Sequence, residues 1–244
     1  MTIQALDRTA RNRLRRLFPD DSPGPRRWLR SDLFLIAHDD QTGQCYVTRA
    51  ALAVGLACAI LFDLWLAGRV RIGWREDVRS ARYVHEPGLI TVLSQAPTGD
   101  TMTDTALKLL WQAGGTIRVK DFVRQYAETN LYERVRADMV AAGILRRADR
   151  RRFGLFRVEA YRPAERAAVR ARASVRDIPD NYHRTREYPE PRMIALSGLV
   201  TALGLTRRLY SDRSHAARLD QWLRSLIDQQ SDPTVSEVTT AAAA

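Results

Sequence analysis

Residues 50–68 form an apolar run in which Asp63 is the only charge, closed by Gly68 and Arg69. By length alone such a run is a candidate membrane span. Its richness in Ala and Gly, the carboxylate well inside it and the lack of a second run of that length point instead to a helix apolar on all sides. Such a helix belongs at the centre of a globular domain. Thr48 stands where an N-cap should be, and Gly68 supplies the helix end. A helix buried all round needs several other elements to cover it, and 244 residues are enough for one large domain that does so.

The rest of the chain supplies those elements. The run 193–205 is a second, shorter core helix, and the patterns at 102–112, 119–127, 131–142, 164–176 and 214–227 predict further helices. Residues 33–37 and 45–47, separated by Asp39, Asp40 and Gly43, read as strand, turn, strand. Strands are expected at 70–74 and 83–92, and a hairpin over 145–161 with its turn at 148–152. Residues 177–191 read as a proline-containing connection. The expected fold is mainly α: a single compact helical domain over residues 32–228, with short β-hairpins, one of them basic and projecting. Residues 1–31 read as a basic arm, either lying on a membrane or a free tail, followed by a linker holding Pro19, Pro23, Gly24 and Pro25; residues 229–244 read as a disordered tail. The arm has no apolar core of the kind a secretory signal needs.

Charge narrows the function. Lys and Arg total 39 against 28 Asp and Glu, a net +11, so the surface attracts polyanions such as nucleic acid or anionic lipid headgroups. Because 37 of the 39 basic residues are arginine, with lysine only at 108 and 120, where they cluster is more informative than how many there are. Cys45 and Cys58 lack any metal-ligand or redox spacing and read as free thiols.

Several segments together resemble the Golgi phosphoprotein 3 family. They are Leu33-Phe34-Leu35-Ile36-Ala37 with the turn ending at Gly43; residues 55–69, ending Leu66-Ala67-Gly68-Arg69; Ala96-Pro97-Thr98-Gly99-Asp100 followed by Ala106-Leu107-Lys108; Glu133-Arg134 through Gly143-Ile144-Leu145; Phe153-Gly154-Leu155-Phe156; and Arg192-Met193-Ile194-Ala195-Leu196. No piece is specific alone, but the ordered set across residues 31–210 is. The resemblance implies a helical fold around a central apolar helix and peripheral membrane binding through phosphatidylinositol 4-phosphate. It also implies a hairpin that inserts an apolar tip and mediates self-association. Where the family's headgroup pocket has a tryptophan and three arginines, this chain carries Thr48, Ala57, Thr129 and Tyr132.

The hairpin therefore becomes the first candidate contact. Arg150, Arg151 and Arg152 supply charge, while Phe153, Leu155 and Phe156 supply an apolar tip, the two-signal combination of reversible membrane anchoring. Candidate headgroup-binding residues are Thr48 and Arg49 at a helix start, with Arg134 and Arg136 as replacement arginines. The expected function is a non-catalytic, cytoplasmic protein held peripherally on the cytoplasmic face of a membrane, binding anionic phospholipid without a cofactor or metal and offering a surface for protein cargo. The alternative is a winged-helix-like nucleic-acid-binding protein using residues 131–142 and the hairpin. His38, Asp39 and Asp40 hint at a metal pair, but they lie in a turn and the other histidines show no ligand spacing; no nucleophile elbow or phosphate loop is present.

Overall fold

The computed structural model describes residues 28–77, 82–152, 156–209, 212–229 and 232–243. Its axis is helix α2 (Arg49–Leu66), preceded by α1 (Leu29–Ile36). Thr48 caps α2 through its hydroxyl, which accepts from the Ala51 N–H at 3.1 Å. Leu52, Leu56, Ile60, Leu61 and Phe62 of α2 are fully buried, each such side chain contributing about 2 kcal/mol of burial. The helix is long and apolar enough to cross a bilayer, yet two-thirds of it (67%) is buried inside the domain.

Strands β1 (Val70–Asp77) and β2 (Arg82–Val92) form an antiparallel hairpin with a bulge between Ile72 and Trp74. Helix α3 (Thr101–Gln112) follows, capped by the Asp100 carboxylate on the Thr103 N–H at 2.7 Å. Strand β3 (Thr116–Arg118) adds to the free edge of β2 and leads into α4 (Val119–Ala127) and α5 (Leu131–Ala141). A separate two-stranded ribbon is built from β4 (Leu145–Arg152) and β5 (Phe156–Pro163), paired from Leu145↔Pro163 to Arg152↔Phe156. Eight residues a strand make it about 26 Å long. The chain closes with α6 (Glu165–Arg176), α7 (Ile178–Thr185), α8 (Pro191–Ala202), a 3-10 turn at Leu205–Arg208, α9 (Arg213–Asp228) and α10 (Thr234–Ala243). Helices α1, α3, α4, α5, α8 and α10 all pack on α2, giving the expected mainly α domain around a buried apolar helix.

Four expectations are corrected. Residues 33–37 are helical, and α1 starts at Leu29, inside what reads as linker; all eight of its residues are buried, Arg30 and Asp32 included. A short apolar run does not distinguish strand from buried helix. Only a single bridge, His38↔Cys45, remains of the expected strand pair. Residues 178–185 form α7, with Pro179 in its first turn, where a proline's missing N–H costs nothing. The ribbon's strands run further than expected, so Arg150, Arg151 and Arg152 lie in β4 and not in a turn. The tail contains α10, with Thr234, Val235, Val238 and Ala242 buried.

The tail docks through small residues and one carboxylate. A Cβ on Gly198 of α8 would lie 2.5 Å from Thr239 Cγ2, so the α8 and α10 backbones meet there at a distance only glycine permits. Glu237 accepts from the Gly88 N–H at 2.9 Å and lies 3.3 Å from His85 Nε2, tying α10 to the β1–β2 hairpin.

Candidate functional site

The start of α2 and the start of α5 meet at one corner of the domain. His38, buried just after α1, fixes the geometry. Its Nδ1 lies 2.7 Å from the Phe34 carbonyl and its Nε2 3.0 Å from the Tyr132 hydroxyl. A carbonyl only accepts, so Nδ1 carries the proton and Nε2 accepts from Tyr132. Burial holds His38 below its ordinary pKa, outweighing that carbonyl bond, and the nearby Arg49 charge acts in the same direction as burial. The neutral ring thus fixes Tyr132, and Tyr132 in turn presents its face to the Arg49 guanidinium, 5.1 Å from the ring centre.

Glu133 completes the corner. Arg49 Nη1 donates to Glu133 Oε1 at 3.1 Å, and Arg136, one turn along α5, ion-pairs with Oε2. Arg136 also stacks on Tyr161 of β5, 4.4 Å from the ring centre. Thr48, Arg49 and Arg136 are therefore brought together, through a carboxylate and two tyrosines that the sequence reading had not assigned. The Glu133–Arg136 spacing of three along a helix was the available signal. Arg134 belongs elsewhere: it donates to Thr129 Oγ1 at 3.0 Å and lies over Tyr126. Ala57 is fully buried in α2, and the ring of Tyr132 carries Arg49.

The ribbon joins the body beside this corner. Leu145 is buried at its base, and a Cβ on Gly43 would lie 2.5 Å from the Tyr161 carbonyl oxygen, so the 39–44 turn is packed hard against β5. An open groove of about 340 Å³ runs between the ribbon base and α5, lined by Arg136, Ala137, Val140, Ala141, Arg147 and Tyr161. Of the hairpin candidates, Arg150, Arg151, Arg152 and Phe156 lie on the strands, while Phe153 and Leu155 fall outside the described residues.

A family model, Golgi phosphoprotein 3 (GPP34), matches residues 29–244. The chain belongs to this family. The match begins at the first residue of α1 and runs through α10, so the terminal helix, read from sequence as a tail, lies within the family's domain. No curated protein matches the chain.

Two other readings meet specific observations within this Golgi phosphoprotein 3 domain. The order α3–β3–α4–α5–ribbon is that of a winged helix, but β3 pairs with β2 and not with the ribbon. The exposed face of α5 carries Ala137, Asp138, Val140 and Ala141, which offers base edges no donor. The Asp39 carboxylate is used by its own turn, accepting from the Gln41 and Thr42 N–H groups at 3.1 and 2.7 Å, and Asp40 ion-pairs with Arg172. Among the described residues no three His, Cys, Asp or Glu side chains converge as metal ligands.

Proposed function

We infer that the chain is a peripheral membrane protein that binds anionic phospholipid headgroups of the phosphatidylinositol 4-phosphate kind. It acts as a non-catalytic adaptor on the cytoplasmic face of a membrane, where it can offer a docking surface to protein cargo or to a second copy through the ribbon. The observation that carries this reading is the β4–β5 ribbon of a Golgi phosphoprotein 3 domain. Its base is packed against the body through Leu145 and Tyr161, and its sequence concentrates arginine next to Phe153, Leu155 and Phe156. Each arginine at an anionic surface contributes about 1 kcal/mol, and one inserted phenylalanine about 2 kcal/mol. The net charge of +11 favours encounter with such a surface.

Vesicle co-sedimentation tests it. Replacing Arg150, Arg151 and Arg152 together by Ser should weaken binding to anionic vesicles by up to about 3 kcal/mol, with the difference shrinking as salt rises. Phe153→Ser should cause a smaller loss that salt hardly alters. Unchanged vesicle binding by both folded variants would remove the ribbon from the membrane contact.

A further inference from the structure

Glu133 occupies the point on which two arginines converge. Its carboxylate takes Arg49 at one oxygen and Arg136 at the other. Each guanidinium also lies over an aromatic ring, Arg49 over Tyr132 and Arg136 over Tyr161. Tyr132 is itself fixed by His38. Arg49 is also the first residue of α2, an 18-residue helix whose N-terminus carries positive partial charge. Two pre-placed planar cations facing one anion is an arrangement that suits phosphate oxygens at least as well as a carboxylate. A phosphomonoester brings three acceptor oxygens and a charge between about −1.5 and −2 at neutral pH, where Glu133 brings two oxygens and one charge. The outer pair is the easily exchanged one, since the Arg49 side chain is 68% exposed and exposed ion pairs stabilise little, whereas Arg136 is only 23% exposed and holds the inner side of the carboxylate.

We propose that Arg49 and Arg136 form a phosphomonoester clamp that Glu133 fills from within, so that this carboxylate competes with the ligand and sets its affinity. The membrane reading enters only as the source of the phosphate: an inositol lipid headgroup and free phosphate present the same oxygens.

The test compares wild type, Glu133→Gln and Glu133→Asp, with Glu128→Gln as control. The aspartate variant keeps the charge but shortens the side chain by one methylene, too short to span both arginines. Glu128 is an exposed carboxylate just past α4, outside the corner. The probes are phosphatidylcholine vesicles carrying phosphatidylinositol 4-phosphate, phosphatidylcholine vesicles of equal charge carrying phosphatidylserine, and inorganic phosphate in solution. Glu133→Gln should bind the phosphomonoester vesicles roughly fivefold tighter than wild type, the equivalent of one more charge at the surface, and Glu133→Asp tighter than wild type by a smaller factor, since its charge is kept. Glu128→Gln should show no such preference, and adding Arg49→Gln to Glu133→Gln should abolish the gain. Binding of Glu133→Asp equal to wild type, with Glu133→Gln equal to Glu128→Gln on every probe, would overturn the clamp. If the Glu133 variants gain phosphate binding while no form binds vesicles, the clamp stands and the membrane reading falls. If vesicle binding depends on the ribbon arginines and ignores Glu133, the membrane reading stands and the clamp falls.

Discussion

Asp63 gives the sharpest test of the interior. It is the lone carboxylate of α2, 4% exposed, and both its oxygens accept from the Leu29 N–H, at 3.1 and 3.2 Å. Arg192 Nη1 stands 3.8 Å away, while its other nitrogen binds Asp32 at 2.8 Å. Burial outweighs these favourable partners and pushes the Asp63 pKa from its ordinary 3.8 up to about 7. A group whose folded pKa is raised contributes stability that is complete below its unfolded pKa and is lost as pH rises through the folded one. Asp63 thus supports the fold at pH 4 and opposes it at pH 8. Three pK units correspond to a ceiling of about 4 kcal/mol.

Asp63→Asn removes the titration while keeping an oxygen for the Leu29 N–H. Its new N–H groups and the lost attraction to Arg192 offset part of the gain. These offsets do not depend on pH, so between pH 5 and pH 8 the stability difference should move in favour of the variant by about 2 to 3 kcal/mol, the rest of the ceiling being lost below pH 5. Urea unfolding of both proteins at unit pH steps from 5 to 9 measures it. The contribution of His38 is common to both chains and cancels in the difference. A difference that stays flat across the range would refute the reasoning, because it would mean that Arg192 and the Leu29 N–H keep Asp63 ionised throughout.

Two further substitutions probe close approaches. Gly198→Ala forces a methyl into Thr239 and should cost about 1 to 3 kcal/mol in thermal or urea unfolding; an unchanged midpoint would mean that α10 does not sit tightly on α8. Gly43→Ala meets two obstacles, a φ of +66° and the Tyr161 carbonyl oxygen 2.5 Å from the added carbon. It should lower stability by about 1 kcal/mol or more and raise amide exchange at the ribbon base, and native-like exchange there would show that the turn does not brace β5.

What the sequence makes legible depends on how far each residue's partners lie along the chain. The α2 run is readable because a helix buried all round needs no partner to be identified: its composition alone excludes a solvent face. Its Thr48 cap is equally local, since the hydroxyl reaches only to Ala51. Helix α1 is the opposite case. Arg30 and Asp32 make it look like the edge of a linker, yet Arg30 pairs with Asp100 at 2.6 Å and with Asp138 at 3.3 Å, and Asp32 with Arg192. Their charges are neutralised across separations of 70, 108 and 160 residues, which no local pattern records. Helix α10 reads as a tail for a related reason: the apolar part of its buried stripe is only Val235, Val238 and Ala242, too slight to stand out until Gly198 and Gly88 are seen to receive it.

The candidate site follows the same logic. Thr48, Arg49, Arg134 and Arg136 were legible as helix-start and helix-face groups, but their sorting into a corner and a bystander was not. That sorting is done by aromatic rings. Tyr132 and Tyr161 draw Arg49 and Arg136 toward Glu133, while Tyr126 and Thr129 hold Arg134 away from it. Tyr132 is thus a platform that orients the neighbouring cation. The corner thereby keeps positive charge facing one point, where Glu133 neutralises it. In the proposed clamp, affinity for an external anion would depend less on how many arginines the surface carries than on how readily one carboxylate gives up its place.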